Sequence, residues 1–230
     1  MSKKIFLDAG HGGKDPGAVG GIVEKEYNLK YILELGRVLG LLGFDVQFSR
    51  VTDVFVELNT RCTLANDWEA DFFISQHFNA GGGTGIETCI QGKGGQAESL
   101  AKKVQMALIA CTGAQNRGVK VQNLQVTRDT TMPSILIEGG FVDSSTDCAM
   151  IKADSWLNKY MSGLSYAICD MCGVKWFDPY SVEVKTVSEP TILVTDKDMY
   201  LSVRVLESKA VALQEQIIGM GYATKRLELA

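Results

Sequence analysis

The chain has only two histidines in 230 residues, His11 and His77, and each follows a strand-like run at the point where open α/β sheets bind their ligands. His11 follows the run KIFLDA and lies in the glycine-rich stretch DAGHGGKDPGAVGG. His77 closes DFFISQH, just before Asn79 and three glycines. A neutral imidazole is the commonest metal ligand. Glu138 terminates a third strand-like run in PSILIEGGF, and a carboxylate there is costly unless it faces water, a cation or a metal. Two imidazoles and a carboxylate with one open position make a catalytic zinc site. Two further acids, Glu24 and Glu26, are candidates for the third ligand. Acids are favoured before a helix in any case, and spacing alone does not choose between them.

Other chemistries fit less well. A phosphate-binding Walker loop needs GxxxxGK followed by Ser or Thr, but Gly13-Lys14 is followed by Asp15, and Asp8 replaces the first glycine. The dinucleotide pattern GxGxxG fails at Asp15 as well, where a carboxylate would repel a pyrophosphate. No GxSxG nucleophile elbow occurs. The glycines are better explained as a tight turn that lets His11 point across the strand ends.

The elements that must position these residues alternate. Strands are expected at Lys4–Ala9, Asp45–Arg50, Phe72–Gln76, Gly85–Ile90 and Pro133–Glu138, with Val119–Val126 extended. Helices are expected at Tyr27–Leu42, Val56–Trp68, Ala97–Cys111 and Ser155–Cys172. This is an α/β pattern, with a mostly parallel central sheet and helices on both faces. The organisation changes near Trp176. The expected division is a catalytic domain over 1–174, a linker over 175–180 and a small C-terminal α+β module over 181–230.

Composition is that of a globular protein, 46% hydrophobic and 22% charged. A net charge of −4 leaves no basic footprint for nucleic acid. No apolar run approaches the ~18 residues of a membrane helix, so no membrane insertion is expected. The N-terminal apolar run, Ile5 to Leu7, is too short for a secretion signal, and synthesis in the cytoplasm is expected. The six cysteines are dispersed and are expected to be free thiols, with the Cys169–Cys172 CxxC pair structural.

Five blocks in order resemble the zinc-dependent N-acetylmuramoyl-L-alanine amidases of the amidase-3 type, found among phage endolysins and bacterial autolysins. They are FLDAGHGGKDPGAVG, VEKEYNL, FSRVTD with LNTRCTLAND, ISQHFNA and MPSILIEGGFVDSSTD, spread over residues 3–172. The resemblance implies one Zn2+ held by His11, Glu24 and His77, and so selects Glu24 over Glu26. It makes Glu138 the catalytic base rather than a ligand. Asn79 and Arg61 are the implied substrate contacts. Gln76, Phe78 and Gly139 depart from the family's usual residues and bear on the cleft walls.

The implied reaction is hydrolysis of the amide between N-acetylmuramic acid and L-alanine in peptidoglycan, leading to cell-wall lysis. The alternatives are a metal-dependent peptidase acting within the stem peptide and a non-catalytic wall-binding module of the same fold. Action on the wall would follow release through holin lesions or mother-cell lysis. The C-terminal stretch MYLSVRVLES…ALQEQIIGMGYATKRLEL resembles half of a sporulation-related repeat, a wall-binding module, or else a dimerisation module. Both a monomer and a homodimer fit the sequence.

Overall fold

The computed structural model describes residues 2–180, and the expected C-terminal module lies outside them. The described chain runs β1 (Lys4–Ala9), α1 (Glu24–Leu41), β2 (Asp45–Phe48), α2 (Leu58–Asp67), β3 (Phe72–Asn79), β4 (Ile86–Ile90), α3 (Gly95–Thr112), β5 (Asn116–Val121), α4 (Gln125–Arg128), β6 (Ser134–Phe141), α5 (Ser145–Lys152) and α6 (Asp154–Cys172). The strands form one sheet in the order β2-β1-β3-β6-β4-β5. β1 pairs in parallel with β2 and β3, and β3 with β6. β4 runs antiparallel to β6, and β5 follows β4 in parallel. The sheet is therefore mostly parallel, with a reversed pair at one edge.

The alternation of side chains along the strands splits the core in two. Ile5, Leu7, Ile74, Ile135 and Ile137 face the larger cluster, which includes Tyr31 and Leu35 of α1, Val104 and Leu108 of α3, and Tyr160 and Leu164 of α6. Phe6, Phe73, Cys89 and Leu136 face a smaller one with Cys62 and Ala65 of α2 and Val126 of α4. Helices thus cover both faces, as the continuous apolar strands require. The thin α2–α4 layer covers the face on which His77, Glu87 and Glu138 continue the parity of Phe73, Cys89 and Leu136.

Several boundaries differ from the sequence expectation. α1 starts three residues earlier than Tyr27, at Glu24, where Glu24 and Glu26 occupy the first turn and interact favourably with the helix dipole. Val119–Val126 is not one extended run; β5 ends at Val121 and α4 makes a single turn from Gln125. α5 was not foreseen, although Ser144 caps it by accepting from the Asp147 N–H at 3.2 Å. It has eight residues, too few for apolar periodicity to register.

Residues 175–180 are not a free linker. The Trp176 indole donates to Ser165 Oγ at 3.1 Å, and the Tyr180 hydroxyl donates to Glu34 Oε1 at 2.5 Å. The segment straps α6 to α1 and belongs to the same compact unit. All six cysteines are free thiols, and Cys169 is fully buried in the larger core. Among the described residues no helix is long and apolar enough to cross a membrane.

Candidate metal centre and active site

His11, Glu24 and His77 meet at the carboxyl ends of β1 and β3 and the first turn of α1, with one ligand atom from each lying within 4.8 Å of the others. His11 Nε2 is 3.2 Å from Glu24 Oε2, and His77 Nδ1 is 2.9 Å from Glu24 Oε1. Donors held ~2.0–2.2 Å from a tetrahedral zinc ion are about 3.3–3.6 Å apart, so these groups need to part by only a few tenths of an ångström to admit a metal. The Glu24 carboxylate is fixed from behind: Oε2 accepts the Ala18 N–H at 2.8 Å, and Oε1 accepts the Phe78 N–H at 3.1 Å and Asn28 Nδ2 at 3.4 Å. Its remaining lone pairs are left to the two imidazoles. His11 Nδ1 lies 2.7 Å from Asp15 Oδ2, which sets the ring so that Nε2 faces Glu24 and is the atom free to bind a metal.

Charge in the site follows from these contacts. Burial would raise the Glu24 carboxyl, but hydrogen bonds to His11 and His77 hold it well below the usual carboxylate range. Burial would lower His11, but Glu24 and Asp15 outweigh it and raise the imidazole to about 9. This pocket stabilises positive charge, and a divalent cation would meet the same field.

The glycine-rich loop leaves room for the rings. A Cβ on Gly10 would sit 2.2 Å from His77 Nε2, and one on Gly17 would sit 2.5 Å from Glu24 Oε2. His11 itself has φ 60, a strained conformation for a residue with a side chain. Two arginines hold that strain by binding backbone carbonyls. Arg50 donates to Ala9 O and Gly10 O, both at 2.9 Å. Arg61 donates to Ala9 O at 2.6 Å, His11 O at 2.8 Å and Val56 O at 3.0 Å.

Arg61 is therefore not placed as a substrate contact. It is 2% exposed, and its guanidinium is committed to those carbonyls and to Asp8. The sequence showed an arginine near the site but not its direction, which the packing of α2 against β1 sets inward.

Glu138 on β6 is the direct register partner of His77 on β3. It stands beside the His11, Glu24 and His77 cluster without joining it. Its Oε2 is enclosed and has no hydrogen-bond partner among the described residues. Burial raises its carboxyl to about 7, with Glu24 and Glu87 adding to the shift and the histidines opposing it. A carboxyl tuned near neutrality can both take and return a proton. Asn79 follows a register shift between β3 and β6, and its Nδ2 donates to Glu87 Oε1 at 3.1 Å.

Four supporting residues were not singled out in the sequence: Asp15, Asn28, Glu87 and Arg117. Glu87 did carry a signal, since it is an acid inside the otherwise apolar strand IETCI. Arg117, whose Nε donates to Glu87 Oε2 at 2.8 Å, carried none, because that contact depends on strand pairing.

Residues 5–170 match the family model described as N-acetylmuramoyl-L-alanine amidase, Amidase_3. The chain belongs to the amidase-3 family. A sporulation-specific N-acetylmuramoyl-L-alanine amidase of Bacillus subtilis is 39% identical over 164 residues, 70% of this chain and 64% of that protein. An endolysin of Bacillus phage SPP1 is 38% identical over 184 residues, 76% of this chain and 68% of that protein. The catalytic domain of CwlV, an N-acetylmuramoyl-L-alanine amidase from Bacillus (Paenibacillus) polymyxa, superposes with a TM-score of 0.72 at 32% identity, covering 75% of this chain and 99% of that one. The amidase-3 chain thus spans a little under two thirds of the Bacillus subtilis relative but nearly the whole of a solved catalytic domain. The matched span contains the His/Glu/His cluster and Glu138.

Proposed function

We propose that this amidase-3 chain hydrolyses the amide between the lactyl group of N-acetylmuramic acid and L-alanine in peptidoglycan, using zinc held by His11, Glu24 and His77. The observation that carries the reading is the convergence of those three side chains next to Glu138 on the neighbouring strand. Zinc bound there would polarise the scissile carbonyl and lower the pKa of a water.

The chain's own residues do the rest. Glu138 takes the proton of the attacking water and returns it to the leaving amine, a two-way task that suits a carboxyl tuned to about 7. Glu24, as an anionic ligand, makes the metal less electrophilic than a third histidine would, which increases the demand on Glu138. Asp15 keeps His11 in the tautomer that presents Nε2. Asn79 sits at the cleft edge beyond His77, with its amide oriented by Glu87. The partner is peptidoglycan, met after the protein gains access to the wall by holin lesions or lysis of a mother cell.

Digestion of purified sacculi followed by mass spectrometry tests the reading. Free stem peptides with an L-alanine amino terminus are expected. Stem peptides cut internally would replace it with a peptidase.

A further inference from the structure

The row of rim residues continues past Glu138. Register places His77 beside Glu138, Glu138 beside Glu87 on β4, and Glu87 beside Gly118 on β5. At the outer edge β5 carries an extra residue. Ile86 pairs with Asn116 but Glu87 with Gly118, so Arg117 is left out of the ladder as a bulge, with Gly118 at φ +81 making the turn. Bulges re-aim side chains and concentrate beside active sites.

Arg117 is held on two sides. Its Nε donates to Glu87 Oε2 at 2.8 Å, and its guanidinium lies 4.8 Å from the centroid of the Phe141 ring. Glu87 is itself fixed by Asn79. The Arg117 side chain remains 32% exposed, and its two terminal nitrogens make no hydrogen bond among the described residues. A fork anchored at Nε and stacked on one face loses little freedom when it binds a second partner. Its remaining parallel donors match a carboxylate.

Direction follows from the proton transfer. Glu138 must reach the leaving nitrogen, so the leaving peptide lies on its side of the metal ligands, toward β4 and β5. Two strand spacings separate β6 from β5, about 10 Å. An extended peptide advances ~3.3–3.6 Å per residue, so that distance spans about two to three residues. We propose that Arg117 is a specificity-determining residue that binds a free carboxylate of the leaving stem peptide, about two to three residues beyond the cleaved bond. The amidase-3 chain then prefers stems with that carboxylate free over stems in which it is amidated. This inference rests on the amidase reading.

Two soluble N-acetylmuramoyl-peptides that differ only in whether this carboxylate is free or amidated test the proposal. The wild type should favour the free acid by about tenfold or more in kcat/KM, mainly through KM. R117M should lose that preference by raising KM for the acid well beyond any change for the amide. R117K, which keeps the charge without the fork, should retain only part of it. An R117M that lowers both substrates alike, or neither, overturns the proposal and leaves the amidase reading standing. Calorimetric binding of the two leaving peptides to wild type and R117M, without turnover, separates the two ideas. Loss of the acid peptide's tighter binding in R117M supports the site even if neither substrate is cleaved, whereas equal binding of both peptides by the wild type removes it.

Discussion

Arg61 Nη1 lies 2.6 Å from Asp8 Oδ1, with only 2% and 1% of the two side chains exposed. The pair is buried beneath the His11 loop rather than within it. Burial would raise the Asp8 carboxyl, but Arg61 and hydrogen bonds from Ser49 and Ser75 hold it low. The same guanidinium binds His11 O. The ion pair therefore ties the strained His11 turn to the floor of the sheet, and its partners define the first prediction.

Arg61→Met should destabilise the fold by about 3–5 kcal/mol, because it strands a buried carboxylate. Asp8→Asn should cost a comparable amount, and the double variant clearly less than the sum. Urea unfolding of the three variants measures this. Arg61→Met should also bind zinc more weakly, since the His11 carbonyl loses its anchor. Additive costs would remove the coupling.

Zinc content distinguishes the two acids at the start of α1. Glu24 is buried between both histidines, whereas Glu26 is exposed. Glu24→Ala should lose the metal, and Glu26→Ala should keep its full content, as read by elemental analysis after dialysis. Metal loss in Glu26→Ala would reverse the assignment.

Glu138→Gln should keep zinc and lose hydrolysis of sacculi by about 10²–10⁴-fold, the usual contribution of a positioned acid–base group. Turbidity clearing and zinc content measured on the same sample check it. A variant that clears sacculi at the wild-type rate would remove Glu138 from the chemistry.

Asp15→Asn should weaken zinc binding by about 10–100-fold with little change in fold, because it touches the metal only through His11. Competition with a chelator of known affinity reads the effect. Unchanged affinity would show that the ring is oriented by other contacts.

Metal-free protein should lose stability as pH rises. His11 is raised, so its contribution is complete below its ordinary 6.5 and is lost as pH passes through about 9. Glu138 is an acid raised to about 7, so the folded state holds its proton more tightly. That contribution is present below the ordinary 4.5 and is lost as pH climbs through 7. Thermal melts in chelator should therefore show Tm falling between pH 5 and 9, with Glu138→Gln falling less. Zinc should oppose the trend, because ligand deprotonation strengthens its binding. A flat profile without metal would contradict both shifts.

The sequence was legible where one signal dominated. Apolar runs identified the central strands β1, β3 and β6, since strands buried on both faces cannot hide their composition, whereas the half-exposed edge strand β5 was placed only in part. Scarcity marked His11 and His77, and a carboxylate closing an apolar run marked Glu138. Elements of one or two turns, α4 and α5, escaped because periodicity needs length. The reversed pair β4 and β5 escaped because strand direction leaves no mark on composition.

Residue types and block order by themselves determined the α/β class, singled out the two histidines and, through family resemblance, supplied the proposed roles of Glu24 and Glu138. Tertiary structure alone decided the rest. Which way Arg61 points depends on how α2 packs on β1, and that packing turns it inward to Asp8. Whether Arg117 reaches the rim depends on a bulge between two strands some thirty residues apart. Both outcomes are properties of pairing and packing between distant segments, which local sequence does not encode.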